Sequence, residues 1–281
     1  IPPDDCRAIA AMAFAEMLES GFTRVVEFHY LHHDIDGSPY ADLGEMAGQI
    51  AAAAADTGIS LTLLPVLYSF GNFGCAPPNP GQRRFLNDLD RFARLVEASR
   101  PHLAALTSAR LGVAPHSLRA VDPRALAPLT ALVADGPIHM HIAEQPREVA
   151  DCLAWSKARP VEWLLDNASV DDRWCLIHAT HITEAETTRL AATGAVAGLC
   201  PVTEANLGDG IFPALDWLAA GGSYGVGTDS NVSIGLAAEL RLLEYSQRLK
   251  TGGRNILADR YESTGRALFE RASVGGSQAA G

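Results

Sequence analysis

Segments with apolar residues at helical spacing alternate along the chain with short, nearly continuous apolar runs. Asp4 or Asp5 can cap a helix from Cys6 to about Glu19 that ends at Gly21. Thr23–Tyr30 then reads as a strand, Ala41 to about Ala55 as a helix closed by Gly58, and Ile59–Leu67 as a second strand. A Gly/Pro-rich loop spans Gly71–Gly81, long enough to suggest a functional role. Arg84–Ser99 has helical spacing, Ala109–Ala114 is a third strand, and Pro123–Ala134 a helix. Four more strands follow at Ile138–Ile142, Trp174–His178, Ala195–Cys200 and Tyr224–Gly227. Between them lie helical patterns at about Arg147–Ser156, Val161–Leu165, Glu184–Ala192 and Phe212–Ala219. A long helix from Ala237 to about Leu249 ends the clear pattern, and the small-residue stretch Ser273–Gly281 is expected to fray.

Regular strand–helix alternation implies parallel pairing with right-handed crossovers. An open doubly wound sheet and a closed (β/α)8 barrel both satisfy it. Neither GxGxxG after a strand nor GxxxxGK[ST] occurs, so the common nucleotide signatures of open sheets are missing and the barrel is favoured. Such a barrel needs eight strands, and seven are visible. The opening helix lacks a strand before it, which puts the missing strand upstream of Ile1. The opening Ile1-Pro2-Pro3-Asp4-Asp5 has no Met, no basic region and no apolar region. It is no signal peptide, and the natural start is expected further upstream. The chain is expected to be one hydrolase barrel domain, residues 1–281, truncated at both ends.

The 281 residues carry 33 acidic and 22 basic side chains, a formal charge of −11. A net-acidic chain without a Lys/Arg cluster lacks the footprint of nucleic-acid binding. No apolar run approaches the ~20 residues of a membrane span. Cys6, Cys75, Cys152, Cys175 and Cys200 form no CxxC pair, which points to reduced, buried thiols in the cytoplasm.

Eight of the nine histidines fall at or beside strand ends, His102 being the exception. At such ends lie His29, Tyr30, His32, His33 and Asp34, then His116 and Arg119. His139, His141, Glu144 and Gln145 follow, then His178 and His181, then Thr203, Glu204 and Asn206, and last Thr228, Asp229, Ser230 and Asn231. Barrel chemistry sits at strand C-termini, and imidazoles with carboxylates on one rim suit a metal-dependent hydrolase. Other readings stand beside this one. His29, His32 and His33 also read as solvated loop residues, with His29 packing at the rim. Glu144 and Asp229 also suit helix caps. His178 also suits a packed core position. His139 and His141, two apart, share one strand face, and with Glu144 close behind they favour a ligand.

These strand-end phrases resemble the amidohydrolase superfamily, specifically its one-metal deaminase branch. The matching pieces are His141-Ile142-Ala143-Glu144, His178-Ala179-Thr180-His181 and Thr228-Asp229-Ser230. The longer runs from His139 to Gln145, Cys200 to Gly210 and Gly227 to Asn231 resemble the formimidoylglutamate deiminase family, as do Phe28–His33 and Ala114–Arg119. The superfamily's His-x-His after its first strand is not in this sequence. Neither is the small β-rich domain built from both chain ends. His139-x-His141 imitates that motif but matches the fifth-strand position, where only His141 is a ligand.

The resemblance implies one divalent metal per subunit, Zn2+ or, with the same ligand types, Fe2+. His141 and Asp229 would be its ligands here, beside two histidines outside this sequence. It implies that hydroxide, oriented by Asp229 and His178, attacks the formimino carbon of N-formimino-L-glutamate. Glu144 would shuttle a proton so that ammonia leaves and N-formyl-L-glutamate forms. Tyr30, His116 and Arg119 would contact the substrate, Arg119 clamping a carboxylate through its fork. No nucleic-acid or membrane partner is implied, and the family's habit is a homodimer. A heterocycle deaminase acting on guanine, cytosine or an adenosine derivative is the rival reading, and a catalytically incomplete fragment is another.

Overall fold

Residues 1–230, 233–258 and 263–281 are described by the computed structural model of the chain. By their contacts they divide into two compact units, Ile1–Met140 with Ala280–Gly281, and His141–Ala279. The first holds helices α1 (Pro3–Glu19), α2 (Glu45–Thr57), α3 (Leu89–Leu103) and α4 (Leu126–Thr130). Its strands are β1 (Arg24–His29), β2 (Ser60–Leu67), β3 (Arg110–Leu111) and β4 (Ala114–Pro115). Strand β5 (Ile138–Ile142) runs from the first unit into the second. The second continues with α5 (Pro146–Ser156), α6 (Pro160–Asn167), β6 (Trp174–His178), α7 (Glu184–Ala191), β7 (Val196–Leu199) and α8 (Pro201–Leu207). It ends with α9 (Ala214–Ala219), β8 (Ser223–Val226), α10 (Leu236–Thr251) and α11 (Thr264–Ala279).

The predicted parallel α/β alternation is the one observed. In the first unit β1 pairs in parallel with β2, from Arg24↔Ser60 to His29↔Pro65, and both β3 and β4 pair with β2. The third predicted strand is thus a single run broken between β3 and β4. At the break the Gly112 amide donates to Leu63 O, and the Val113 amide turns to Pro137 O. A side chain at 112 would sit 2.3 Å from the Pro137 carbonyl oxygen, so glycine permits this crossing. In the second unit the order is β5-β6-β7-β8, with β6, β7 and β8 in parallel register.

Period-two alternation divides β1 between two apolar layers. Val25 packs with Phe14 of α1, Met46 and Ile50 of α2, and Leu61 and Leu63 of β2. Val26, Phe28 and Tyr30 pack instead on Leu64, Val66 and Ala114. Helix starts are written locally. α5, α6 and α8 open on Pro146, Pro160 and Pro201, whose missing N–H is spare at a first turn. Thr183 and Glu186 cap α7 reciprocally: the Thr183 amide donates to Glu186 Oε2 and the Glu186 amide to Thr183 Oγ1.

The chain end departs from expectation. Thr264–Ala279 is helix α11, and Ser273–Ala279 belongs to it instead of fraying. Its small residues allow close packing on β8: a Cβ at Gly275 would lie 2.1 Å from the Tyr224 carbonyl oxygen. Gly275→Ala is therefore expected to lower stability by about 1–3 kcal/mol, the usual cost of overpacking. A urea midpoint unchanged from wild type would contradict this packing. Among the described residues no helix is long and apolar enough to cross a membrane. All five cysteines are free, and four are buried. Burial pushes the Cys152 thiol up to about 11 and the Cys175 thiol up to about 12, so both behave as small apolar groups.

Candidate active site

In the second unit, β5, β6 and β8 end on the residues that the sequence singled out. His141 is the penultimate residue of β5, His178 the last of β6, and Asp229 lies three residues past β8. The His141 and His178 rings stack with centroids 5.6 Å apart. His178 Nε2 lies 3.7 Å from Glu144 Oε1 and 3.9 Å from Asp229 Oδ2. His141, Glu144 and Asp229 therefore all neighbour one buried ring, that of His178. His178 is 1% exposed, whereas the Asp229 side chain is 26% exposed and opens the cluster to solvent. Asn231 lies outside the described residues.

Three of the loops that carry these groups use left-handed backbone. φ is +49° at Ala143, +67° at His178, +48° at Ala179 and +52° at Asp229. Histidine and aspartate tolerate this region better than most residues, but alanine gains nothing there, so neighbouring bonds must hold it. They do so at Ala143. Buried Glu148, in the first turn of α5, accepts the Ala143 amide on Oε1 and the Glu144 amide on Oε2, both at 3.0 Å. The Ala143 carbonyl accepts the His181 amide at 2.9 Å, and the Ala179 amide donates to Ile142 O. The backbone that carries Glu144 is thereby held from both sides.

Glu204 of α8, also buried, faces the other side of His178. Its Oε1 accepts the Cys200 amide at 3.0 Å and lies 3.2 Å from His178 Nδ1. Burial works to lower the His178 pKa. The Glu204 hydrogen bond and the negative charges of Glu144, Glu204 and Asp229 outweigh it and raise the pKa. Fully buried Glu239 of α10 accepts the Val202 amide on Oε2 at 2.9 Å. Burial, helped by the charges of Glu204 and Asp229, pushes its carboxyl up to about 7. His181 Nε2 bonds the Asp209 carbonyl oxygen at 2.7 Å.

An imidazole and a carboxylate beside two further carboxylates form a donor set suited to a hard or borderline divalent cation. His141 and Asp229, both beside the His178 ring, are of the ligand types such a cation takes. The described residues contain no group of three or more His, Cys, Asp or Glu side chains arranged to hold one.

Of the residues expected at the substrate, the first unit brings Tyr30 and His116 together. Tyr30 and His116 have ring centroids 5.6 Å apart, and Tyr30 also meets Phe85 at 5.8 Å. Arg119 lies half-buried in the turn Leu118–Ala120, three residues past His116. Tyr68 packs on His116 at 4.6 Å and its hydroxyl accepts from Gln82 Nε2 at 2.7 Å. His139 packs edge-on against Phe28 at 6.4 Å as a neighbour within this unit.

Two readings need correction. His29, His32 and His33 are buried, with exposures of 3%, 2% and 1%, and are not solvated loop residues. Both the His32 and His33 amides donate to Arg84 O, while His32 Nε2 bonds Val66 O and His33 Nε2 bonds Leu86 O. Burial depresses all three imidazoles, His29 down to about 4, so they are neutral packing groups at neutral pH. Pro201–Leu207 is a helix and not merely a strand-end segment, and this helix turns Glu204 toward His178. Glu148 and Tyr68 were missed altogether. The Glu at the third position of α5, six residues past a strand, is the visible signal for Glu148.

The Amidohydrolase family model matches residues 1–279. Formimidoylglutamate deiminase of Pseudomonas aeruginosa is 51% identical over 283 residues, covering 100% of this chain and 62% of that protein. The crystal structure of an amidohydrolase from Brucella melitensis superposes with a TM-score of 0.98 at 59% identity, over 100% of this chain and 62% of that one. An adenosine deaminase from Xanthomonas campestris, solved with bound zinc, shares the fold at a TM-score of 0.79 and 23% identity, over 99% of this chain and 57% of that one. The chain thus spans about three-fifths of the length of the relatives it matches. With the match running through every strand end described above, this chain belongs to the amidohydrolase family.

Proposed function

We propose that this chain carries the catalytic half-site of a deiminase that hydrolyses N-formimino-L-glutamate to N-formyl-L-glutamate and ammonia, a step of histidine degradation. The observation that carries this reading is the grouping of His141, Glu144 and Asp229 around His178 in a chain 51% identical to a formimidoylglutamate deiminase. His141 and Asp229 would hold a divalent cation, zinc by analogy with the zinc-bound adenosine deaminase, with the remaining ligands lying outside these residues. Such a cation lowers the pKa of a bound water toward ~7, so that a nucleophile exists at neutral pH.

The chain's own side chains do the rest. His178 and Asp229 orient the attacking water. Glu144 takes a proton from that water and passes it to the imino nitrogen as the C–O bond forms, then relays the remaining hydroxyl proton to the same nitrogen, so that the C–N bond breaks, the formyl C=O forms and nitrogen leaves as ammonia. The substrate carries two carboxylates while the chain has a net charge of −11, so a local cation has to overcome repulsion. We assign that task to Arg119, with Tyr30 and His116 as further substrate contacts. The expected partner is this small anionic molecule, with neither nucleic acid nor membrane, in a cytoplasmic homodimer.

Ammonia release from N-formimino-L-glutamate, set against guanine, cytosine and adenosine derivatives, tests the reading. Arg119→Ala is expected to reduce kcat/KM for the formimino acid by about 10–100-fold, the value of a charged hydrogen bond, mostly through KM. Turnover of a neutral heterocycle that is insensitive to Arg119→Ala would favour the rival deaminase reading.

A further inference from the structure

We propose that Glu204 is a positioning residue that fixes His178 in its Nδ1–H form and so dedicates Nε2 to the face shared by Glu144 and Asp229. The consequence for rate rests on the function proposed above, whereas the protonation pattern does not. Nothing in an isolated imidazole selects one ring nitrogen strongly, and a buried ring takes the tautomer that its partners impose. Here the partner is itself immobilised. Glu204 is 4% exposed and sits in the first turn of α8. Its Oε1 is pinned by the Cys200 amide, and its own amide donates to Cys200 O at 2.9 Å.

The same oxygen lies 3.2 Å from His178 Nδ1. A carboxylate oxygen in that place accepts, so Nδ1 must donate. Nε2 is then left facing Glu144 Oε1 and Asp229 Oδ2 at 3.7 and 3.9 Å, both beyond direct hydrogen-bonding distance. The left-handed backbone at His178, with φ at +67°, aims the ring between these groups. α8 is in turn tied to the end of β8, because Thr203 Oγ1 donates to Thr228 O at 3.3 Å, one residue before Asp229. One short helix thus sets the direction of His178 and anchors the segment that carries Asp229.

A purely structural reading exists: Glu204 could serve only to satisfy the Cys200 amide at the start of α8. The two roles separate experimentally. The tautomer is read by 15N-edited NMR on imidazole-labelled protein, at a pH that keeps the ring neutral, and kcat is compared through a double-mutant cycle. His178 is expected to carry its proton on Nδ1 in the wild type and in Glu204→Gln, whose amide oxygen still accepts. Glu204→Ala is expected to lose that signature and to lower kcat by about 10–100-fold, the usual cost of removing a supporting carboxylate. KM should change by less than about threefold, and Glu204→Gln should recover most of kcat.

In a His178→Asn background, Glu204→Ala should have no further effect on kcat. A proton on Nε2 in the wild type overturns the proposal. So does a Glu204→Ala loss that persists undiminished in the His178→Asn background. The NMR signature needs no substrate. Absent turnover of N-formimino-L-glutamate would therefore sink the functional reading while leaving the tautomer to decide this one.

Discussion

Glu144→Gln is expected to lower kcat for N-formimino-L-glutamate by about 10²–10⁴-fold, the range general acid–base catalysis contributes. Glutamine has nearly the shape of glutamate but cannot take a proton from water and return one to the imino nitrogen. The backbone of residue 144 is held by Glu148, which accepts the amides of both Ala143 and Glu144, so the substituted side chain should occupy the same place. His178 keeps Glu204 on its far side, and the variant should fold and melt like the wild type. The loss should appear in kcat, with KM little changed, because the missing interaction is made in the transition state. Steady-state ammonia release reads this out. A kcat close to wild type would remove Glu144 from the proton path and reopen the assignment of that role.

The second large effect concerns stability. Glu186→Ala is expected to destabilise the second unit by about 3 kcal/mol, the lower end for breaking a buried ion pair. Glu186 is buried and anchors several groups at once. It pairs with Arg159 Nε at 2.8 Å, and it accepts the Thr183 amide at 2.8 Å and the Glu162 amide at 3.2 Å. Its loss leaves the Arg159 Nε–H and two backbone donors without their acceptor. The Arg159 side chain is 28% exposed and can recover some solvation, which keeps the figure at the low end. The fault should reach the active-site cluster, because Arg159 also bonds the His181 carbonyl oxygen and His181 supports Ala143. Urea denaturation measures the total, and hydrogen exchange over 159–186 should show where protection is lost. A shift below about 1 kcal/mol would mean that the pair is neutral, as exposed ion pairs usually are.

The cluster around His178 and its supports were not equally legible in the sequence. His141, Glu144, His178 and Asp229 stood out because chemically reactive residues follow apolar strands, and a parallel sheet brings successive strand ends to one edge. Glu148 and Glu204 were harder to assign. A glutamate early in a helix is also an ordinary capping residue, and only its neighbours show which amide or ring nitrogen it serves. His29, His32 and His33 misled for the converse reason. A histidine-rich segment at a strand end looks hydrophilic, yet the carbonyls of Arg84, Leu86 and Val66 hold His32 and His33 in the interior, and His29 is buried at the end of β1. The small residues of Ser273–Ala279 lack an apolar stripe, and their helical place against β8 depends on fitting the backbone of Tyr224.

Period and punctuation along the chain suffice for the parallel α/β order, because hydrophobic spacing and proline or glycine at element ends are local properties. The surroundings of the His178 ring, and with them the choice of one ring nitrogen, are not local. They exist because Glu144, Glu204 and Asp229, distant in sequence from that ring, come within 3.2–3.9 Å of its nitrogens, where burial makes every unmet hydrogen bond costly.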